Sequence, residues 1–283
     1  MSKQPKKLVS HSHGSREASG DIPLGARLTE ALSYHHADKL TEAEVIYKEL
    51  LIKYPNNPDC LHLLGTVLLQ YGDYNSAIDL IGRAILENSG DAIYHNNIGI
   101  AFQLAGRYSD AEESFRTAIS LNDKDGGYHN NLGYALQCLG KADEAMRHYE
   151  TSLLISPEMP STYNNIGNIY RAKGMFSEAI SYYSKSISLK ADYADAHNNL
   201  GVALDAKGDT AGAIASFQRA LSINPELAQS HNNIGSILHR QGLMQEAMDR
   251  YKKAIAIDPE LQDAHNNIDI ILSGSNAATK LDG

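Results

Sequence analysis

The chain has 283 residues, of which 42% are apolar, and a formal net charge of −9. No unbroken apolar run approaches the ~18 residues of a transmembrane helix, so we expect no membrane protein. The excess of Asp and Glu argues against a nucleic-acid partner, because phosphate binding requires clustered cations. Two cysteines are too few for a disulfide framework, and they predict a reducing, cytoplasmic location.

The chain begins with a polar segment, residues 1–23, which we predict to be a disordered leader. This segment lacks the apolar core of a signal peptide, so we do not expect export. Residues 24–261 repeat with a period of 34 residues and no register slip, which defines seven repeats. We predict that one extra helix follows at 262–273, and a disordered tail at 274–283.

Each repeat has the apolar spacing of two amphipathic helices, with apolar residues every three or four positions. In the repeat around Gly174, we predict that this glycine ends the first helix in the left-handed conformation. Prolines such as Pro157 separate successive repeats, because proline cannot continue a helix. We expect Gly167 on the first helix to face Ala179 on the second, and Tyr183 to fill the gap toward the neighbouring repeat.

The repeat resembles the tetratricopeptide repeat, a 34-residue helix–turn–helix, over residues 24 to about 273. The columns that carry this resemblance are those of Pro157, Gly167, Tyr170, Ala179 and Tyr183. The resemblance implies an all-α fold, a tetratricopeptide-repeat superhelical solenoid of antiparallel helix pairs. It also implies that the first helices of the pairs line a concave groove.

The first helices from Asn96 onward carry a pair of adjacent asparagines, here called the leading and the trailing asparagine. Asparagine is a mediocre helix former, so these twelve residues cost stability unless something offsets it. A side-chain amide donates and accepts hydrogen bonds, as a peptide unit does. First helices about 10 Å apart would present one asparagine per roughly three residues of an extended chain.

We therefore predict that the asparagines bind the backbone of an extended peptide. The predicted binding residues are the trailing Asn97, Asn131, Asn165, Asn199, Asn233 and Asn267 and the leading Asn130, Asn164, Asn198 and Asn232. In the alternative interpretation, the same side chains bond neighbouring helices or loop carbonyls and only define the array.

Two functional hypotheses follow from these columns. In the first, the chain is a non-enzymatic scaffold that binds an extended or disordered segment of another protein. In the second, it is the substrate-recruiting arm of an O-linked glycosyltransferase-type enzyme whose catalytic domain is absent from this chain. The second rests on resemblance: similar asparagine ladders hold substrate peptides in the arms of protein O-linked N-acetylglucosamine transferases, and the trailing asparagines are the matching positions.

Chemistry-bearing motifs are missing from the sequence. Five histidines precede asparagine pairs, but ligands about 10 Å apart cannot converge on one ion, so we expect no metal or cofactor. No zinc-protease motif and no nucleophile elbow occurs, and we expect no enzymatic activity. In tetratricopeptide proteins that clamp a C-terminal carboxylate, Lys and Arg lie alongside the groove asparagine, whereas this chain has the leading asparagines before it, so we expect no such clamp. We expect basic or neutral segments instead, with acidic groove contacts at Asp59, Asp195, Asp205 and Asp263.

The extra helix suggests a third hypothesis. Asp269 stands where the other repeats have a packing glycine, as expected for a helix with no partner after it. Ile270, Ile271 and Leu272 would leave apolar surface at this end of the array. We therefore also consider self-association through the C-terminal helix.

Overall fold

The computed structural model describes residues 23–279, and the side chains of residues 23–273. These residues form fifteen helices and no strands. They belong to two compact parts, the N-terminal module, which ends at residue 105, and the C-terminal module, which begins at residue 106. Residues 1–22 of the predicted leader and 280–283 of the predicted tail lie outside the described residues.

The N-terminal module is built from helix pairs joined by short loops. Its core lies between the helices, where Ala31, Ala43, Tyr47 and Val67 are fully buried. Its five helices are α1 (Leu24–His36), α2 (Leu40–Lys53), α3 (Pro58–Gln70), α4 (Tyr74–Glu87) and α5 (Ala92–Leu104).

The C-terminal module continues the same architecture. Its ten helices are α6 (Tyr108–Leu121), α7 (Gly126–Cys138), α8 (Ala142–Ile155), α9 (Pro160–Ala172), α10 (Phe176–Leu189), α11 (Ala194–Ala206), α12 (Thr210–Ile223), α13 (Ala228–Arg240), α14 (Met244–Ile257) and α15 (Gln262–Thr279). Each odd-numbered helix from α7 to α13 packs against the helix that follows it, and successive odd-numbered helices also touch one another. The all-α arrangement of paired helices confirms the predicted fold class.

The last helix is longer than the sequence analysis predicts. We expected it to end at residue 273, but α15 continues to Thr279. Gly274 and Ser275 are poor helix formers, but no proline interrupts this stretch, and Ala277 and Ala278 favour the helix.

A glycine ends the first helix of most pairs, as predicted for Gly174. The left-handed conformation is cheapest for glycine because it has no Cβ. In the first repeat, Asp38 takes this place with a φ of 59°. The glycines in the left-handed conformation, with φ from 73° to 86°, are Gly72, Gly106, Gly140, Gly174, Gly208 and Gly242.

The glycine inside the first helices α7, α9, α11 and α13 makes room for an aromatic ring. A Cβ atom on Gly167 would lie 2.6 Å from Cε1 of Tyr183, which is fully buried. The atoms nearest to this position thus belong to Tyr183, whereas we expected Gly167 to face Ala179. Tyr183 lies one helical turn beyond Ala179 on α10, and its ring reaches across the pair into the space over the glycine. The same contact joins Gly133 to Tyr149, Gly201 to Phe217 and Gly235 to Tyr251.

Candidate functional site

Four of the trailing asparagines of the C-terminal module bond to the preceding repeat. Nδ2 of Asn199, on α11, donates to Oδ1 of Asn164, the leading asparagine on α9, over 3.0 Å. We call this series of bonds the asparagine ladder. Its other members join Asn165 to Asn130 (3.1 Å), Asn233 to Asn198 (3.1 Å) and Asn267 to Asn232 (3.0 Å).

The leading asparagines contribute mainly to packing between repeats. Asn164 is only 4% exposed, and Asn232 is also buried. Their oxygens accept further bonds where the next helix offers a hydroxyl, since Oγ1 of Thr162 donates to Asn130 over 3.0 Å and Oγ of Ser230 donates to Asn198 over 2.9 Å. For these oxygens, the structure shows the contacts that the alternative interpretation expects.

The trailing asparagines keep hydrogen-bonding capacity after the ladder has formed. Each ladder bond uses one N–H of the side chain, which leaves a second N–H and the oxygen. Among the described residues, no donor bonds the Oδ1 atom of Asn165, Asn199 or Asn233. An amide that is fixed by one bond and still has a donor and an acceptor can pair with a peptide unit.

Two of these asparagines line a polar groove of about 350 Å³ that crosses the first helices of the C-terminal module. The groove is lined by Tyr134, Asn164, Asn165, Asn168, Tyr193, Asp195, Asn198, Asn199, Leu227 and Gln229. The structure thus brings four of the predicted asparagines together. The predicted residues outside this lining are Asn97, Asn130, Asn131, Asn232, Asn233 and Asn267.

Several lining residues were not predicted from the sequence. Tyr134 and Asn168 lie three positions after a trailing asparagine, and Tyr193 and Leu227 share one column just before the first helices. These fixed offsets are the signal that could have identified them. The orientation of Asn168 is set by α10, because the hydroxyl of Tyr183 on that helix donates to Oδ1 of Asn168 over 2.8 Å.

Asp195 is the only formally charged residue of the groove lining. It lies close to Tyr193, whose pKa is raised by burial and, to a smaller extent, by the Asp195 carboxylate. The ammonium of Lys190 lies 5.4 Å from the centroid of the Tyr193 ring. The groove therefore combines neutral amides with one carboxylate and two aromatic rings.

The N-terminal module has a variant of the ladder. His62 occupies the place of a leading asparagine, and Nδ2 of Asn97 donates to its Nε2 over 2.8 Å. Burial lowers the pKa of His62 to about 4, so the ring is neutral at pH 7 and can accept this bond. In the same module the Tyr94 hydroxyl donates to Oδ1 of Asp59 over 2.6 Å. His62 was not predicted, because no asparagine marks its column in this repeat.

Four of the five histidines that precede an asparagine pair bond a backbone carbonyl in the loop before their helix. Nε2 of His197 donates to the carbonyl oxygen of Ala191 over 3.1 Å, and His95, His231 and His265 make the equivalent bond. His129 instead lies with its Nδ1 3.0 Å from Nδ1 of His148. Within the described part of the chain, no group of three or more His, Cys, Asp or Glu residues is placed to hold a metal ion.

The exposed C-terminal helix differs from its prediction in one residue. Ile270 and Leu272 are about half exposed, at 56% and 50%. Ile271 is buried and packs against Ala247 and Tyr251 of α14, so the apolar surface at this helix is smaller than expected. None of the helices in the described range is long and apolar enough to cross a membrane.

Comparison with known families identifies the repeats. Models described as tetratricopeptide repeat match residues 34–96, 97–160 and 228–261, and one described as TPR repeat matches residues 167–208 and 203–242. Together they cover well over half of the chain, which therefore belongs to the tetratricopeptide repeat proteins. No curated protein that was compared with the chain matches it.

Solved structures show the same fold. The crystal structure of the APC/C hetero-tetramer Cut9–Hcn1 matches with a TM-score of 0.76 and 18% identity, over 88% of this chain and 49% of that one. A tetratricopeptide repeat protein from Parabacteroides merdae gives a TM-score of 0.73 at 16% identity, over 88% and 98% of the two chains. Pseudomonas aeruginosa PilF gives 0.61 at 18% identity, over 74% and 95%.

The sequence identities to these three structures are between 16% and 18%. At such identities the structural similarity confirms the all-α repeat fold alone. The chain spans about half the length of the Cut9–Hcn1 chain that it matches. The closer resemblance to the arms of O-linked glycosyltransferases stays a prediction from the sequence.

Proposed function

We propose that the chain is a protein-interaction scaffold whose C-terminal module holds an extended segment of another protein along the asparagine ladder. The observation that carries this proposal is the hydrogen bonding of Asn165 and Asn199 and their place in the groove. Each side chain is fixed by a bond to the preceding repeat, lines the groove, and keeps an acceptor oxygen with no partner in the described chain.

The energetics favour such a site. A side chain that is already held in place loses little conformational freedom when a ligand binds, so more of each contact appears as affinity. A hydrogen bond of this kind contributes about 0.5–1.5 kcal/mol. Packed helices lie about 8–10 Å apart, which corresponds to about three residues of an extended strand at roughly 3.3 Å per residue. Successive bonds of the ladder can therefore reach peptide units about three residues apart in the segment.

The groove chemistry suits a protein segment better than other ligands. Amides recognise the backbone, which every extended segment presents, so recognition depends little on the segment's sequence. The net charge of −9 disfavours nucleic acid. We propose no catalytic step and no cofactor, and the cytoplasmic location stays a prediction from the sequence.

The test is a comparison of partner capture by the wild type and by Asn165→Ala/Asn199→Ala. Captured proteins are identified, their binding segments are mapped with overlapping peptides, and affinities are measured on those peptides. We expect the double variant to bind at least tenfold more weakly, since 1.4 kcal/mol corresponds to a factor of about ten.

Asn232→Ala is the matched control. It breaks the ladder bond to Asn267, but Asn232 does not line the groove. It therefore reproduces the loss of packing without the loss of groove amides, and we expect it to retain binding. Equal affinity of the double variant and the wild type, at a temperature where both are folded, would contradict the proposal.

The same capture experiment tests the glycosyltransferase hypothesis. If the chain recruits substrates for such an enzyme, a glycosyltransferase copurifies with the wild type. The captured segments should then carry serine or threonine residues that the enzyme modifies. Capture of ligands without any transferase favours the plain scaffold.

The exposed side chains of α15 support the self-association hypothesis. Ile270 and Leu272 project from a helix that packs against α14 and α13 and has no second helix of its own among the described residues. Light scattering of the full chain over a range of concentrations tests this. We expect a dimer that dissociates in Ile270→Glu/Leu272→Glu, whereas a wild-type monomer at all concentrations would contradict it.

A further inference from the structure

Asp195 offers an unused carboxylate in the groove. Its side chain is exposed, and among the described residues it forms no hydrogen bond or ion pair. It stands in the first turn of α11, where a carboxylate interacts favourably with the helix dipole. The interaction of Asp195 with the helix dipole does not involve the two tyrosines that line the same groove.

Two other acidic residues on the first helices, Asp59 and Asp205, are already engaged. Asp59 accepts the hydroxyl of Tyr94, and Asp205 is paired with Arg240 at 2.6 Å. In both cases the partner lies 35 residues later, on the next first helix. The corresponding residue for Asp195 is Ser230, whose short side chain donates to Asn198 instead. Ser230 thus stands in the column of Tyr94, the tyrosine that bonds Asp59. Asp195 therefore remains available to a ligand.

Apolar and aromatic surface lies beside this carboxylate. Tyr193 is half-buried, Tyr134 is 37% exposed, and Leu227 lines the same groove. A tyrosine face attracts a cation and also packs against an alkyl chain. Lys190 already lies over the Tyr193 ring, which shows that this ring can hold an ammonium group.

From these features we infer that the groove takes a lysine or arginine side chain of the bound segment. The alkyl part lies against Tyr193 and Leu227, and the cation pairs with Asp195. This inference rests on the proposed function, since the asparagine ladder holds the backbone that carries the side chain. The pairing with Asp195 selects the bound segment by charge, whereas the asparagines bind only its backbone.

Synthetic peptides test the inference without a known partner. The probes are fluorescein-labelled twelve-residue peptides of serine, threonine and alanine, with Lys, Arg, Gln or Glu at the centre. Their binding to the full-length wild type is followed by anisotropy. We expect the Lys and Arg peptides to bind about five- to tenfold more tightly than the Gln peptide, and the Glu peptide to bind most weakly.

Two variants separate the local carboxylate from general charge. Asp195→Asn should abolish the preference for Lys over Gln while binding the Gln peptide as the wild type does. Asp263→Asn removes the same charge at the equivalent position two repeats later, outside the groove lining, and should keep the preference. Equal binding of Lys and Gln peptides to the wild type, or an unchanged preference in Asp195→Asn, would overturn the inference.

The failure of the proposed function has a different signature. If the inference alone fails, the peptides still bind, and Asn165→Ala/Asn199→Ala still weakens them. If no peptide binds, or the double variant binds all of them as the wild type does, the proposed function fails and the inference fails with it.

Discussion

Asn199 donates a 3.0 Å hydrogen bond to Asn164, which lies 35 residues earlier on the preceding first helix. The acceptor is buried, whereas the donor lines the groove and its oxygen accepts no bond from any described residue. The leading asparagine of one repeat therefore bonds the trailing asparagine of the next repeat and holds it in position. The structural role of this bond is compatible with the binding role that we propose for Asn199, although the sequence presents the two roles as alternatives.

This bond can be measured by a double-mutant cycle. We expect Asn164→Ala and Asn199→Ala each to lower the free energy of unfolding by about 1–2 kcal/mol, since each leaves a polar partner unpaired. The coupling energy should be about 0.5–1.5 kcal/mol, from chemical denaturation of the four proteins. Asn164→Ala combined with Asn233→Ala is the control, because these two side chains do not share a bond. Additive effects in the Asn164/Asn199 pair would contradict the ladder.

The contact between Gly167 and Tyr183 predicts opposite effects for one chemical change at two glycines. Gly167→Ala should destabilise by about 1–3 kcal/mol, because the new methyl group would overlap a buried ring. The ring cannot easily retreat, since its hydroxyl is bonded to Asn168. Gly82→Ala, inside α4, meets only Ile98 at 3.8 Å and should stabilise by about 0.5–1 kcal/mol.

Thermal unfolding followed by circular dichroism distinguishes the two variants. A lower melting temperature for Gly167→Ala together with a higher one for Gly82→Ala supports the packing described above. Loss of stability in both, or in neither, would mean that the ring does not occupy the space over Gly167.

The left-handed position of the first repeat is open to improvement. Asp38 has a φ of 59°, a region that costs most L-residues roughly 1–2 kcal/mol. Asp38→Gly should therefore raise the stability, by about 0.5 kcal/mol after the greater freedom of unfolded glycine is deducted. The reverse change, Gly174→Ala, should lower it by about 1 kcal/mol. A melting temperature that falls in Asp38→Gly would show that the aspartate makes a stabilising contact of its own.

His62 predicts acid sensitivity of the N-terminal module. Its pKa is lowered by burial from 6.5 to about 4, and the nearby carboxylates of Asp91 and Asp59 oppose this only in part. Because the folded pKa lies below the unfolded one, the unfolded chain binds protons first as the pH falls. Stability is unaffected above about pH 6.5 and is lost between pH 6.5 and 4, by roughly 3 kcal/mol in total.

His62→Gln isolates this effect, because glutamine does not titrate and still offers an oxygen to Asn97. Urea denaturation at pH 7.5, 6 and 5 should show a smaller loss of stability for the variant than for the wild type. Other histidines, including His129 and His148, also have lowered pKa values, so the difference between the two proteins is the informative quantity. Parallel pH profiles would rule out His62 as the source.

The periodic features of the fold were predictable from the sequence. Local rules specify the helix stop at Gly174, and the 34-residue period specifies which residues recur on one face. The contacts across helices were not predictable in the same way. Tyr183 covers Gly167 and also clusters with Ala203 of the next repeat, and this placement depends on the angle within the pair, which no local pattern encodes.

The groove was predicted in part for a related reason. The asparagine pairs are visible as columns, but their bonding connects residues 35 positions apart, one more than the period. That offset follows from the stacking of the first helices and not from the repeat itself. Asp195 was predicted as an acidic groove contact, whereas Tyr193 belongs to a column of mixed composition, and only the folded arrangement shows that it reaches the groove.

Each ladder bond reaches back by one repeat and no further. Removing or inserting a whole repeat would therefore leave every remaining bond with a partner of the same type. The array can change its length in steps of 34 residues without redesign of its interfaces. If each ladder bond corresponds to about three residues of a bound segment, the number of repeats sets the length of the segment that can be bound.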